Sequence, residues 1–238
     1  MKPLWRHRWD LTPAAARQLQ EKARGRVILA DDAADFFRER RSPDRHLEFF
    51  MPRTLAAVDV GYDKATDRCA AALVLWDVDS RQSILELTHV QPSTFPYVPG
   101  LLSFREIPPL LPLFERLQDS PDLILCDGQG IAHPRRMGLA SHLGLVFDCP
   151  SLGWAKSRLI GTYEEPPKRR GAATALMDGD EQIGWVYRSR EGCRVTFVSP
   201  GHRISLGRSL ELARALTGPC RLAEPARRAH LLTRIAME

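Results

Sequence analysis

The amino-acid sequence predicts an α/β fold in which a mixed β-sheet is flanked by helices. Three strand-like segments joined by short polar turns open the core, and helix-like and strand-like segments alternate after them. The resulting order, β-β-β-α-β-α-β, describes the ribonuclease H-like fold. The hydrophobic fraction of 44% over 238 residues is enough to build the core that this fold requires.

The N-terminal part precedes this core. A helix is predicted over residues 12–24, with Thr12 as its N-cap and Pro13 at the first helical position. Residues 38–53 are charged and contain two prolines, which predicts an arm that connects to the core. We expect one domain over 1–238, with the N-terminal helix and arm in 1–53 and the core with its C-terminal elements in 54–238.

The core elements are predicted from runs of apolar and β-branched residues. An antiparallel meander is predicted from three runs, at 54–62, 68–78 and 83–91. A helix around 109–118 and a buried parallel strand within 122–130 follow, then a helix at 134–145 and a strand at 149–156. The C-terminal part adds strand-like runs at 181–189 and 193–200 and a late helix over 205–216.

Charge and cysteine usage narrow the function classes. The net charge of +5 and the pI near 9.1 favour contact with a polyanion such as nucleic acid. The five cysteines are far apart and form no CxxC pair, which argues against a zinc site and a disulfide framework and favours the reducing cytoplasm. The sequence contains no apolar run long enough to cross a bilayer and no secretion signal, so we expect no membrane partner.

Two carboxylates stand where a metal site is expected. Asp59 lies within the apolar run LAAVDVGY, and Asp127 ends the apolar run LILCD. If the first and fourth core strands are parallel neighbours, these carboxylates converge, and their hard oxygens suit Mg²⁺. The alternative is that Asp59 pairs with a buried arginine and Asp127 merely begins a turn, and the pattern alone does not separate the two.

Glu106 has an ambiguous setting. It stands in Ser103-Phe104-Arg105-Glu106, which matches a capping box and requires no catalytic role. Prolines follow at 108, 109 and 112, which fits poorly with a regular helix that starts at Ser103. Spacing therefore leaves the role of Glu106 open.

Three further side chains are candidates for substrate contacts. His133 is placed to position water or a phosphate, and Lys156, at the end of a strand, to neutralise a scissile phosphate. Tyr97 lies in a loop stiffened by prolines, where a rigid aromatic ring can wedge between bases. Each has an ordinary alternative: a structural histidine, a solvated lysine and a tyrosine folded onto its own loop.

Several long motifs occur together in one order along the chain. They are VDVGYD (58–63), PYVPGLLSFRE (96–106), DGQGIAHPRRMGLASHLGL (127–145), GWAKSRL (153–159), GHR (201–203) and RLAEPARRAH (221–230). Together they closely resemble the endonuclease V family of deoxyinosine-directed nucleases, and the resemblance runs from about residue 54 to 230. This chain differs from many members in having Gln129 where they have histidine, and Ala223 where they have proline.

The resemblance implies a DNA-repair hydrolase that uses Mg²⁺, with Mn²⁺ as a substitute. It implies a nick at the second phosphodiester bond 3′ to a deoxyinosine, which leaves 3′-hydroxyl and 5′-phosphate ends. By matching positions, Asp59 and Asp127 are implied metal ligands and Glu106 completes the acidic cluster. His133 and Lys156 are implied to lie near the scissile phosphate, and His230 to close the site.

The same resemblance implies how damaged DNA is recognised. Tyr97 belongs to a wedge that separates the strands, and the extruded hypoxanthine is read by main-chain groups near Gly100, Leu102, Gly128 and Ala155. Two alternatives stay open: inosine-containing RNA as the substrate, and a module that binds damaged nucleic acid without cutting it. A monomer is the simplest assembly.

Overall fold

The computed structural model describes residues 1–31, 38–42, 45–63 and 65–238. Five α-helices occur in these ranges, together with a short 3₁₀ turn at Arg24–Arg26: α1 (Pro13–Ala23), α2 (Leu102–Glu115), α3 (Leu139–Phe147), α4 (Leu206–Leu216) and α5 (Glu224–Ile235). The strands in the same ranges are β1 (Arg38–Ser42), β2 (Arg45–Met51), β3 (Thr54–Asp63), β4 (Arg68–Asp77), β5 (Gln82–Pro92), β6 (Leu123–Cys126), β7 (Ser151–Ala155), β8 (Ala173–Asp178), β9 (Glu181–Tyr187) and β10 (Thr196–His202).

Strands β3 to β10 form one eight-stranded sheet in the order β5-β4-β3-β6-β7-β10-β9-β8. The three central strands β3, β6 and β7 run parallel, and the remaining pairs are antiparallel. The predicted meander of β3, β4 and β5 is confirmed, and so is the predicted β-β-β-α-β-α-β order of the core. This mixed sheet is that of the ribonuclease H-like fold.

Helices cover both faces of the sheet. On one face α2 and α3 bury Ile107, Leu110 and Leu143 against the even-numbered side chains of β3, such as Val58. On the other face α4 and α5 pack over a second core, which contains the alternate β3 side chains Leu55 and Ala57. Since side chains alternate along a strand, Asp59 points to the same face as Leu55 and Ala57, which is the face of α5.

Helix α1 begins as the sequence predicts. Thr12 is the N-cap, and its hydroxyl accepts a hydrogen bond from the main-chain N–H of Ala15 at 3.3 Å. Pro13 occupies the first turn, where its missing N–H removes no helical hydrogen bond. The helix buries Ala16, Gln20 and Ala23.

Helix α2 corrects the prediction made around Glu106. The helix begins at Leu102 and passes through Pro108, Pro109 and Pro112, although three prolines so close together were expected to disfavour it. Burial of its apolar face offsets the missing main-chain hydrogen bonds, because five large apolar side chains of α2 are fully buried. They are Phe104, Ile107, Leu110, Leu113 and Phe114.

Other elements differ from the sequence-based expectation. The predicted arm 38–53 contains an antiparallel pair of strands, β1 and β2, while residues 43 and 44 of the arm lie outside the described ranges. Main-chain pairing satisfies the backbone there, and a charged composition does not reveal it. Strand β8 and helix α5 were not predicted, and α3 starts at Leu139 rather than near residue 134. Within the described ranges, none of the helices combines the length and the apolar character needed to cross a membrane.

Candidate active site

Asp59 and Asp127 lie side by side on neighbouring strands. The parallel register of β3 and β6 pairs Val58 with Cys126, so each aspartate is one residue beyond a paired position. The predicted condition for convergence, parallel neighbouring strands, is thereby confirmed. The Asp59 side chain is 13% exposed and the Asp127 side chain 11% exposed, so both carboxylates are largely removed from water. Burial raises the pKa of Asp127, and the nearby negative charge of Asp59 adds to that rise.

Each aspartate has a basic partner from a different element. The Lys156 Nζ, just after β7, lies 2.5 Å from Asp127 Oδ2. The His230 Nδ1, on α5, lies 2.8 Å from Asp59 Oδ2, and Thr233 Oγ1 lies 3.5 Å from the same oxygen. Asp59 therefore pairs with a histidine, not with the buried arginine that the sequence left open, and Asp127 is held by a lysine.

Glu106 reaches the same place from α2. Its side chain is buried, and no hydrogen bond or ion pair to its carboxyl group occurs among the described residues. Burial raises the pKa of Glu106 well above its ordinary value, and the negative charges of Asp59 and Asp127 raise it further. The capping box of Ser103 and Glu106 does not form, because α2 starts after Leu101 and Ser103 Oγ instead bonds to His142 Nδ1 at 2.9 Å.

The donor chemistry of this cluster fits a hard divalent cation. Three carboxylates in a partly dry site repel each other, and a divalent cation with oxygen ligands relieves that repulsion. In the present side-chain arrangement, Asp127 faces Lys156 and Asp59 faces His230. No three Asp, Glu, His or Cys side chains of the described chain converge on one ion position in that arrangement. A cation bound here would replace Lys156 and His230 as the partners of the two aspartates.

A cavity of about 350 Å³ opens beside the carboxylates. Asp59, Asp127 and Lys156 line one side of it. All five residues for which the resemblance implied substrate contacts also line it: Tyr97, Gly100, Leu102, Gly128 and Ala155. The Tyr97 side chain is 73% exposed, so the alternative in which it folds onto its own loop does not apply. We call this space the base cavity.

His133 also lines the base cavity, but its ring is engaged by the main chain. Nε2 donates to the Gly100 carbonyl at 2.9 Å, and Nδ1 accepts from the N–H groups of Arg135 and Met137 at 3.1 and 3.4 Å. Burial lowers the pKa of His133 to about 4, so the ring is neutral at physiological pH. With both nitrogens occupied, this geometry lets His133 hold the loop at Gly100 in place beside the cavity.

The sequence reasoning missed two other groups that hold the same loop. Arg135 Nη2 donates to the Gly100 carbonyl at 2.7 Å, and its Nε donates to Gln20 Oε1 at 2.6 Å. Gln20 in turn donates from Nε2 to the Met137 carbonyl at 3.0 Å. Gly100 has a φ of +77°, which suits glycine, and its carbonyl is fixed by two donors. A signal was present in the sequence, because Gln20 interrupts the apolar stripe of α1.

Gln129 stands where many members of the resembled family have histidine. Its Nε2 donates to the Ser157 carbonyl at 2.9 Å, which ties the loop after β6 to the loop after β7. The amide therefore takes a structural role between the segments that carry Asp127 and Lys156.

Comparison with known proteins identifies the family. The family model of Endonuclease V matches residues 38–231. An endonuclease V of Azotobacter vinelandii is 44% identical over 224 residues, 94% of this chain and 94% of that protein. The solved endonuclease V of Streptomyces avermitilis is 40% identical with a TM-score of 0.82 and covers 96% of this chain and 94% of that one.

A more distant structure shares the fold. It is the endonuclease V of Ciona intestinalis in complex with a 24mer DNA containing an inosine followed by a ribo-adenosine. Its identity is 22% and its TM-score 0.75, with coverage of 94% of this chain and 96% of that one. The family that the sequence motifs predicted is thus confirmed by close relatives over nearly the whole chain: this protein belongs to the endonuclease V family and is a nuclease, a hydrolase of phosphodiester bonds.

Proposed function

We propose that this protein is a Mg²⁺-dependent DNA-repair endonuclease that nicks at the second phosphodiester bond 3′ to a deoxyinosine, with Mn²⁺ as a substitute. The products carry 3′-hydroxyl and 5′-phosphate ends. The observation that carries the proposal is the base cavity beside two buried carboxylates, which puts a space for one extruded base next to a phosphodiesterase-type acidic cluster. The Ciona relative, solved with inosine-containing DNA, supports inosine as the lesion.

In the proposed mechanism the acidic cluster and its basic partners have separate tasks. Asp59 and Asp127, with Glu106 beside them, would hold Mg²⁺. When bound, the cation would polarise the phosphodiester and orient the attacking water. When Asp127 turns from Lys156, the ammonium is free to neutralise charge on the phosphate. When Asp59 turns from His230, the imidazole closes the site from α5 and is available to hold or pass a proton.

Recognition of the lesion falls to the base cavity. Tyr97, exposed between Pro96 and Pro99, would occupy the gap that the extruded nucleotide leaves. Main-chain groups near Gly100, Leu102, Gly128 and Ala155 would bond to the edge of the hypoxanthine. Rigid main-chain donors and acceptors discriminate bases well, because an unmatched polar group in a dry cavity is costly.

We further propose the setting in which the enzyme acts. Residues 1–238 would form one domain that acts as a monomer on damaged DNA. The five cysteines are free, which accords with the reducing cytoplasm.

The test is cleavage of a labelled duplex with one deoxyinosine, next to an undamaged duplex, with and without Mg²⁺. We expect one Mg²⁺-dependent nick, one nucleotide beyond the inosine. Asp59→Ala should reduce the nicking rate by roughly a thousandfold or more, as removal of one member of a catalytic unit does. Binding of the inosine duplex, measured by gel shift, should persist. Full nicking by Asp59→Ala would overturn the assignment, and binding without any nick by the wild type would favour the non-cleaving module.

A second candidate is an inosine-directed ribonuclease on the same fold. One observation favours it: the DNA bound by the Ciona relative has a ribo-adenosine after the inosine. Matched DNA, RNA and single-ribonucleotide substrates, cleaved side by side, separate the two. Faster nicking of the ribonucleotide-containing strands would identify a 2′-hydroxyl contact and favour the ribonuclease.

A further inference from the structure

A second depression adjoins the carboxylates on the side of α5, and we call it the α5 groove. It has a volume of about 280 Å³ and is lined by Lys156, Leu222, Glu224, Arg227, Arg228, His230, Leu231 and Arg234. Lys156 lines both the α5 groove and the base cavity. The two depressions therefore adjoin at the side chain that pairs with Asp127.

The border between the two depressions is the candidate catalytic centre. Lys156 bonds to Asp127 at 2.5 Å, and His230 bonds to Asp59 at 2.8 Å. The carboxylates thus line the base cavity, while His230 and Lys156, their partners, line the groove. A strand that places a base in the cavity and a phosphate at the carboxylates reaches the α5 groove with its next phosphates.

The α5 groove has the charge that a phosphate backbone requires. Lys156, Arg227, Arg228 and Arg234 face it, against the single acid Glu224. Arg227, His230 and Arg234 are three to seven residues apart, so they share one face of α5. The seven helical steps from Arg227 to Arg234 span about 10 Å, the axial rise of about three nucleotides in a B-form strand.

These guanidinium groups are available to a ligand. Arg227 bonds to Glu224 at 2.8 Å and Arg228 to Glu86 at 2.8 Å, and both arginines are more than two-fifths exposed. The Arg227–Glu224 pair is exposed on both sides, so it is weak and exchanges readily with a phosphate, whereas Arg228 is held by both oxygens of Glu86. Arg234 is exposed and has no ion-pair partner within the part of the chain that the structure describes.

We propose that the α5 groove binds the phosphates of the cleaved strand on the 3′ side of the scissile bond. The strand then runs in the 5′ to 3′ direction from the base cavity, across Asp59 and Asp127, to α5. This polarity rests on the proposed function, because a cut 3′ to the extruded base puts the following phosphates beyond the carboxylates. The α5 groove is a basic surface that adjoins the carboxylates through Lys156 and His230.

The experiment uses two duplexes of equal length, each with one deoxyinosine. In the first the inosine is near the 5′ end of its strand, so most of the strand extends on the 3′ side; in the second it is near the 3′ end. The test variant is Arg227→Ala/Arg234→Ala. The charge-conserving variant is Arg227→Lys/Arg234→Lys, and the matched control is Arg214→Ala, an exposed arginine on α4 outside both depressions.

We expect the alanine variant to raise KM about tenfold on the first duplex, with kcat within twofold, and to change the second less than twofold. The slope of log KM against log salt concentration should fall by about 1.8 on the first duplex only, as the loss of two phosphate contacts predicts. The lysine variant should keep most of this slope, and Arg214→Ala should match the wild type. An equal or larger effect on the second duplex, or an unchanged slope, would overturn the proposal.

A variant that is expected to lower KM controls for a folding defect. Glu224→Gln removes the acid from the α5 groove, so it should lower KM on the first duplex about twofold, which an unfolded protein does not do. An unchanged or raised KM would count against the proposal. Failure of the wild type to nick at inosine would overturn the proposed function itself, whereas normal nicking without 3′-side dependence overturns the polarity alone.

Discussion

Glu106 is the residue with the least favourable environment in the candidate site. Its carboxyl group is buried on α2 and is close enough to Asp59 and Asp127 for their charges to raise its pKa. A buried ionised carboxylate without a partner destabilises the folded state. Such a group is retained in an enzyme when its charge serves a ligand, here the proposed cation.

Glu106→Gln should therefore stabilise the cation-free protein while it impairs nicking. Since the folded-state pKa of Glu106 is raised, its protonated form stabilises the fold below the unfolded pKa of about 4.5, and that contribution is lost as pH rises through the folded pKa. The variant should match the wild type near pH 4. At pH 8 in EDTA the free energy of unfolding of the variant should exceed that of the wild type by about 1–3 kcal/mol. Urea denaturation at both pH values measures this.

Glu106→Ala is the matched variant, because it removes the charge but leaves a cavity on the buried face of α2. Its free energy of unfolding should fall at both pH values, because buried packing is lost. A glutamine variant less stable than the wild type at pH 8 would contradict the account of Glu106 as a strained carboxylate.

At the residue scale, the sequence predicted best those polar residues that lie in or directly after a buried strand. Asp59 and Asp127 were predicted to converge if their strands are parallel neighbours, and β3 and β6 meet that condition. The ring contacts of His133 were not predicted by residue type, since its buried ring bonds to Gly100 and to main-chain N–H groups. Those contacts depend on loop geometry that spacing does not encode.

Among the elements, α1 has a function that its position in the sequence does not suggest. It lies before the core, yet Gln20 on its buried face bonds to Arg135 and to the Met137 carbonyl. Arg135 in turn bonds to the carbonyl of Gly100 in the wall of the base cavity. An N-terminal helix thereby holds the loop proposed to read the base.

Gln20→Leu should loosen that loop while it keeps the volume of the side chain. It leaves the Met137 carbonyl and Arg135 Nε without partners, which should lower the free energy of unfolding by about 1–3 kcal/mol. It should also reduce discrimination, measured as the ratio of kcat/KM on inosine and undamaged duplexes, because preorganised recognition is lost. Gln18→Leu, an exposed change on the same helix, should alter neither quantity. Reduced stability with unchanged discrimination would confine Gln20 to a structural role.

Element by element, runs of apolar residues predicted the core strands and helix α4, because burial of one face leaves a regular pattern. The N-cap Thr12 and the following Pro13 predicted α1. The prediction found a helix around 109–118 but missed the first turns of α2, where the prolines at 108, 109 and 112 lie inside a helix held by its buried face. It also failed for β1 and β2, whose charged sequences pair through the main chain, and for α5, where a short basic motif did not suggest a helix.

At the scale of the whole molecule, the parallel centre of the sheet decides where chemistry takes place. Strands β3, β6 and β7 are parallel, so residues near their carboxyl ends lie at one edge of the sheet. Asp59 lies within β3, Asp127 directly follows β6, and Lys156 directly follows β7. Helices α2 and α5, from opposite faces of the sheet, add Glu106 and His230 at that edge. Since five elements meet there, a cation bound at this edge links both faces of the sheet.

Mg²⁺ should therefore raise the stability of the whole protein. The carboxylates bind it only in the folded state, where their separation is small, so the free energy of unfolding should increase by about 2.7 kcal/mol at a concentration one hundred times Kd. Removal with EDTA should reverse the shift in thermal midpoint. Asp59→Asn should abolish the shift, whereas Asp119→Asn, an exposed change after α2, should preserve it. A shift that persists in Asp59→Asn would show that the cation binds elsewhere on the molecule.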